Sequence, residues 1–252
     1  MKACKIYCTY FGYGRGIPTG SPATPDDVLK MFKKNIENDM VLDCGVENMD
    51  IIVVNNYTNQ ITKEGQEYLK SIDGLNLPSG KIIMCERENI GASMGAFSYA
   101  FDKFSEIYDY WLFVEDDIRI IYPKYYKFII DELDADDKLG FLALNYIMGE
   151  ENPLKSCVCC GFGAAKKDVL LDVKKKYGKL PYDSGYNYGN VGSSEVLFTN
   201  CYPNMGYKMR LPLNKEINLL ADNWKMCSTH IDWQNVKKFD LSNINHFCHI
   251  GL

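Results

Sequence analysis

Tyr110-Trp111-Leu112-Phe113-Val114-Glu115-Asp116-Asp117-Ile118 is an apolar run of strand length that ends in three adjacent acids. Its first five residues suit a central strand, because both faces of such a strand are covered and the alternating pattern is lost. Three carboxylates at one strand end repel each other unless a cation or solvent relieves them. In an open α/β sheet, ligands bind outside the carboxyl ends of the strands. Two readings of the acids therefore stand side by side. One is a metal-binding shelf at the mouth of a cleft; the other is a strand entering a solvated acidic turn.

The residues before the acids repeat one theme. Residues 91–104 predict a helix, and Lys81-Ile82-Ile83-Met84-Cys85 before it a strand. Thr62 to Ile72 predicts another helix, preceded by the all-apolar strand Ile51-Ile52-Val53-Val54, which ends at Asn55-Asn56. Residues 4–10 are rich in β-formers and make the first strand. A helix from about Asp27 to Asp39, capped by Thr24 or Asp26, gathers Val28, Met31, Phe32, Ile36 and Met40 on one face. Between them, Gly12 to Pro25 holds four Gly and three Pro and reads as a long loop. Strand–helix alternation of this kind predicts an α/β fold with a mostly parallel central sheet flanked by helices.

Beyond Asp117 the pattern loosens. A helix is expected over Pro123 to Leu133, strands over Phe141 to Tyr146 and Cys157 to Ala164, and a lysine-rich helix with a solvated face over Lys166 to Tyr177. A Gly/Tyr/Asn-rich loop over Pro181 to Gly192 leads to a helix from Ser194 to about Pro203. With no repeat and no clean linker, residues 1–252 read as a single domain. Residues 1–117 form its nucleotide-binding half and residues 118–252 its substrate half.

Composition narrows the function classes. At 252 residues, 46% hydrophobic and 24% charged, the chain is of ordinary globular type. A net charge of −5 and a pI near 5.3 give no basic footprint for a phosphate backbone, so nucleic acid is disfavoured as a partner. Residues 1–8 lack the apolar core of a signal peptide, and no segment approaches the roughly 18 apolar residues of a membrane span. Ten cysteines without a secretion signal predict reduced thiols and a cytoplasmic location. Cys157-Val158-Cys159-Cys160 lacks a second C-x-x-C to complete a zinc site and reads as part of a buried strand.

Three elements stand in order: Val53-Val54-Asn55-Asn56, then Asn89-Ile90-Gly91-Ala92-Ser93-Met94-Gly95-Ala96, then the Glu115-Asp116-Asp117 turn. Together they resemble the GT-A (nucleotide-diphospho-sugar transferase) fold, and glycosyltransferase family two in particular. In that family an N-x-G segment opens the helix before the metal strand, and a D-x-D motif ends that strand. Here Glu stands in the first place of the motif. Gly192-Ser193-Ser194-Glu195-Val196-Leu197, followed by Gly206-Tyr207-Lys208, is similar to the family's acceptor-side helix.

The resemblance implies a metal-dependent glycosyltransferase acting on a nucleotide-diphosphate sugar, UDP-sugars being the commonest in such enzymes, with a hydroxyl acceptor on a glycan, lipid-linked intermediate or protein. Mn²⁺ or Mg²⁺ is the implied cofactor, since both prefer hard oxygen ligands. Asp117 and Glu115 are its implied ligands, with His249 (or His246) able to close the site, and Asp116 faces the ribose or donor sugar. Arg87 and Asn89 are implied donor contacts, and Asn55 lies near the ribose or base. Thr9, Tyr10 and Phe11 sit where a base can stack, although the aromatics serve equally well as core. Gly91 and Gly95, one helical turn apart, leave a bare face for a ligand or for a second backbone, and Asn89 is placed to cap the helix.

Glu195 is the candidate general base of an inverting transfer. Its other reading is a first-turn acid that complements the helix dipole, behind a Ser193 or Ser194 cap. Tyr182, Tyr186 and Tyr188 are candidates for stacking on acceptor sugars or for anchoring their loop. Two further functions stay open. One is a nucleotidyltransferase, favoured by a faint Gly-rich likeness at Gly12-Tyr13-Gly14-Arg15-Gly16; the other is a catalytically silent carbohydrate-binding homologue.

Overall fold

A computed structural model describes residues 1–9, 25–57, 62–116, 118–120, 122–144, 162–184, 191–210 and 220–223. The first half alternates as expected: β1 (Ala3–Thr9), α1 (Pro25–Asp39), β2 (Met49–Tyr57), α2 (Lys63–Ile72), β3 (Ile82–Glu88), α3 (Ala92–Phe104) and β4 (Tyr110–Glu115). The second half holds β5 (Ile118–Ile120), α4 (Tyr125–Asp134), β6 (Leu139–Ala143), β7 (Gly163–Lys166), α5 (Lys167–Tyr177), α6 (Val191–Asn200), β8 (Lys208–Arg210) and β9 (Leu220–Asn223). Seven strands form the main sheet in the order β3-β2-β1-β4-β7-β6-β8, and β5 pairs with β9 in a separate ribbon. β1 to β4 are mutually parallel, whereas β7 runs antiparallel between β4 and β6.

Both faces of this sheet are covered, which is why its strands carry no alternation. On one face Ala3, Tyr7, Ile51, Val53, Leu112 and Val114 pack under α1, α2 and α4. On the other, Cys4, Ile6, Ile52, Val54, Trp111 and Phe113 pack under α3, α5 and α6. Each large apolar side chain fully withdrawn from water in this way contributes about 1.5–3 kcal/mol. One polar group interrupts the first face. Lys5 is fully buried and its Nζ reaches Asp39 Oδ1 at 2.7 Å and Oδ2 at 2.9 Å, while Tyr7 Oη donates to the same carboxylate at 2.9 Å. Burial lowers the Lys5 pKa, against the opposing pull of Asp39. Removing one partner of such a pair costs about 3–5 kcal/mol, so it ties the end of α1 to the middle of β1.

Several expected boundaries move. β6 begins two residues earlier than the predicted strand at Phe141, because Leu139 already pairs with Lys208 of β8. The strand expected over Cys157 to Ala164 is described only as β7, and Cys157 to Cys160 lie outside the described residues. The three-residue strands β5 and β8 are too short to leave a pattern.

The topology also says where a ligand belongs. From β1 the strand order runs to β2 on one side and to β4 on the other, so the crevice of this switch point opens at their carboxyl ends. There the register sets Cys8 beside Glu115 and Thr9 beside Asn55.

Candidate functional site

The acidic turn is held from both helical layers. Glu115 closes β4, and Ser93 Oγ of α3 donates to its Oε1. From the other side, Asn35 Nδ2 of α1 donates to the main-chain carbonyl of Asp116 at 2.8 Å, and Asn38 Nδ2 to that of Ile120 at 2.8 Å. Asp116 itself is 1% exposed. Its carboxylate is the last of several neighbours, after burial, Asp39 and Tyr125, that raise the Tyr7 phenol well above its ordinary pKa. Asp116 is thus set deeper than an acid facing open solvent. Asp117 lies outside the described residues.

At or just past the ends of β1, β2 and β3, three buried oxygens lack a hydrogen-bond partner among the described residues: Thr9 Oγ1, Asn55 Oδ1 and Asn89 Oδ1. Thr9 and Asn55 are 0% and 1% exposed and are neighbours across β1 and β2. Leaving a buried polar atom unpaired costs about 1–3 kcal/mol. Native folds rarely leave such atoms orphaned without a reason. Two of them, on Thr9 and Asn55, stand side by side at the carboxyl ends of β1 and β2. Tyr10 and Phe11, expected in the same place, lie outside the described residues.

Asn89 does not cap α3. The N-cap is Gly91, in a left-handed conformation at φ +77°, and no side chain bonds to the helix start. Ala92 is left-handed too, at φ +47°, so the chain reverses between Asn89 and the first turn and carries the amide away from it. The bare faces of the two glycines are filled by protein. A Cβ on Gly91 would meet the Tyr182 ring at 2.2 Å, and one on Gly95 would meet the Ile90 carbonyl at 2.0 Å. Arg87 lies across this region: Nη1 donates to Asn56 Oδ1 at 2.8 Å and Nη2 to the Ile90 carbonyl at 2.7 Å. Burial lowers its pKa from the ordinary guanidinium value.

Glu195 sits elsewhere on its helix than expected. α6 starts at Val191, so Ser194 is not a cap and Glu195 falls in the second turn. The dipole explanation for a first-turn acid therefore does not apply. Ser194, 3% exposed, accepts a hydrogen bond from the Asp183 amide at 3.0 Å. Phe198, one turn on, stacks edge-on against Phe113 and Phe141, at 5.8 and 5.5 Å between ring centroids. α6 is thus seated on the α3 side of the sheet. The segment 181–184 links it to the start of α3, with Asp183 on Ser194 and Tyr182 on Gly91. Tyr182 anchors its loop. Tyr186, Tyr188, His246 and His249 lie outside the described residues.

The donors at the turn are carboxylate oxygens, the hard ligands that Mg²⁺ and Mn²⁺ take. Glu115 and Asp116 fit such an ion in chemistry. Among the described residues no group of three His, Cys, Asp or Glu side chains converges on one point. Ser93 and Asn56 lie within the quoted motifs without an expected role of their own, and Asn35 and Asn38 lie outside them. Two poor helix formers one turn apart, Asn35 and Asn38, inside an otherwise amphipathic helix were the available signal.

The chain has the GT-A, nucleotide-diphospho-sugar transferase type of fold. Among solved structures it is similar to S. aureus TarS 1-349 in complex with UDP-GlcNAc, with a TM-score of 0.55 at 12% identity over 98% of this chain and 70% of that one. It is also similar to the mannosyltransferase PcManGT from Pyrobaculum calidifontis in complex with GDP-Man and Mn²⁺. There the TM-score is 0.52 at 12% identity, over 92% of this chain and 59% of the other. The chain therefore spans less than two thirds of the mannosyltransferase's length, and at such identity the likeness is one of fold. No protein-family model matches the sequence, and no curated protein matches it. Among the described residues no helix is long and apolar enough to cross a membrane.

Proposed function

We propose that this chain is a metal-dependent glycosyltransferase that moves a sugar from a nucleotide-diphosphate sugar to a hydroxyl acceptor. The observation that carries the reading is the pair of orphaned oxygens on Thr9 and Asn55 at the ends of β1 and β2, next to the strand that ends in the acidic turn at the switch point of a GT-A sheet. Binding of GDP-Man with Mn²⁺ and of UDP-GlcNAc by the two structural neighbours supports the same ligand class. Residues 1–117 serve as the donor half and residues 118–252 as the acceptor half.

In this reading Thr9, Asn55 and Asn89 receive N–H and O–H groups of the nucleoside, with Tyr10, Phe11 and the Gly91 backbone as further donor contacts and Asp116 serving the ribose or donor sugar. Glu115, Asp117 and His249 hold Mn²⁺ or Mg²⁺, which when bound neutralises charge on the departing diphosphate. Glu195 takes the proton of the acceptor hydroxyl as that oxygen attacks the anomeric carbon from the face opposite the leaving group, giving inversion. Its place in the second turn of α6, where a dipole role does not account for it, is compatible with that role.

The test is a panel of nucleotide sugars with MnCl₂, scored by thermal stabilisation and by the products released. Ligands that bind only the native state raise its apparent stability. Nucleoside diphosphate is the expected product; pyrophosphate would instead identify a nucleotidyltransferase, and sugar affinity without nucleotide affinity a silent binding protein. Glu195→Gln should abolish transfer, by a hundredfold or more on the scale of general-base catalysis, and keep donor affinity. Wild-type turnover in that variant would remove Glu195 from the chemistry.

A further inference from the structure

The start of α3 is locked by a closed set of contacts. Arg87 grips Asn56 Oδ1 and the Ile90 carbonyl with two different nitrogens, at 2.8 and 2.7 Å. Asn56 Nδ2 reaches the Ala92 carbonyl at 3.1 Å and Cys8 Sγ at 3.0 Å. Between these two carbonyls the backbone is left-handed twice, at Gly91 and at Ala92, the latter an uncommon conformation for a residue with a Cβ. Strained backbone of this kind persists only where its surroundings over-determine it. Gly95 is the seat of the lock, since a Cβ there would lie 2.0 Å from the Ile90 carbonyl and 3.0 Å from Arg87 Nη1. The residue after Ala92 is Ser93, whose hydroxyl holds the Glu115 carboxylate. Glu in the first place of the acidic motif is one methylene longer than Asp, which lets it span from β4 to α3.

We propose that Arg87 and Asn56 are positioning residues of the donor site, acting on Glu115 through Ser93 and not on the diphosphate directly. The planar fork of the guanidinium matches two acceptors set by the fold, and a lysine cannot reproduce that grip. Both acceptors belong to the protein, so the side chain is turned inward. The role assigned to Glu115 rests on the donor-site reading above; the lock itself does not.

Two measurements separate these. In the first, amide hydrogen exchange over residues 89–95 of the ligand-free protein is compared for wild type, Arg87→Lys and Ser93→Ala. Exchange in Arg87→Lys should quicken roughly tenfold, as loss of a charge-assisted hydrogen bond implies, with little change in Ser93→Ala. Unchanged exchange in Arg87→Lys, in protein whose melting confirms that it is folded, would overturn the lock. In the second, each variant is titrated with ADP, CDP, GDP, UDP and dTDP in the presence and absence of MnCl₂. Ser93→Ala should weaken the Mn²⁺-dependent part of binding by roughly three- to tenfold, Ser93→Thr should restore it, and the Arg87→Lys/Ser93→Ala double variant should bind about as weakly as Arg87→Lys alone. Losses that multiply in the double variant would place Arg87 on the diphosphate and overturn the proposal. Binding of no nucleoside diphosphate by the wild type would overturn the donor-site reading, with the exchange result still judging the lock.

Discussion

Gly95→Ala is a small change with a large expected effect. The new methyl would stand 2.0 Å from the Ile90 carbonyl oxygen, where ordinary contact begins at 3.4 Å. The obstacle is backbone, so it cannot rotate away as a side-chain tip would. The carbonyl must retreat by more than an ångström, which carries the 2.7 Å hydrogen bond from Arg87 Nη2 beyond bonding distance. A hydrogen bond to a charged group contributes about 1.5–3 kcal/mol. The higher helix propensity of Ala returns about 1 kcal/mol. The net expectation is a loss of about 0.5–2 kcal/mol, or a melting temperature lower by about 1–8 °C for a chain of this size. Thermal unfolding followed by circular dichroism measures it directly. In an Arg87→Lys background the same substitution should cost less, because the grip it breaks is already gone. A melting temperature at or above that of the wild type would refute the close approach on which the lock at α3 depends.

Two further outcomes follow from groups away from the site. Thr62 Oγ1 accepts the Gly65 amide at 3.1 Å and caps α2, so Thr62→Ala should cost about 1 kcal/mol in urea unfolding; an unchanged midpoint would remove the cap from the account. Burial favours the neutral form of Asp50, but Tyr108 Oη at 2.8 Å, the Lys81 amide at 3.0 Å and Lys2 outweigh it, and the carboxyl pKa is lowered. A carboxyl lowered on folding stabilises the protein above its ordinary pKa of about 3.9 and loses that stabilisation as pH falls through the folded value. Asp50→Asn should therefore be less stable than wild type at neutral pH, with the gap closing below about pH 4. A gap that stays constant across the acid limb would show that the charge of Asp50 contributes nothing.

The first half of the chain was legible because its signals are local. Ile51 to Val54 and Tyr110 to Val114 are apolar without interruption since each lies between two helical layers, and the helices between them carry their own periodicity. The second half was less legible. β5 and β8, three residues each, acquire their form from partners distant in sequence. α6 shows almost no amphipathic pattern from which to find its start, and that start decided whether Glu195 was a dipole partner or a candidate base. Asn89 illustrates the same limit: its spacing from the helix suits a cap, but two left-handed residues in between forbid it.

Residue order alone was enough for the acidic strand end, its place after three strand–helix units, and so the crevice where a ligand belongs; these depend on burial patterns within single elements. The hands that hold the acids were not readable. Ser93 meets Glu115 across 22 residues of sequence, and Asn35 meets the Asp116 carbonyl across 81. Such contacts exist only once separate layers have packed on the sheet. A hydroxyl or an amide on a helix carries no mark of which distant atom it will face.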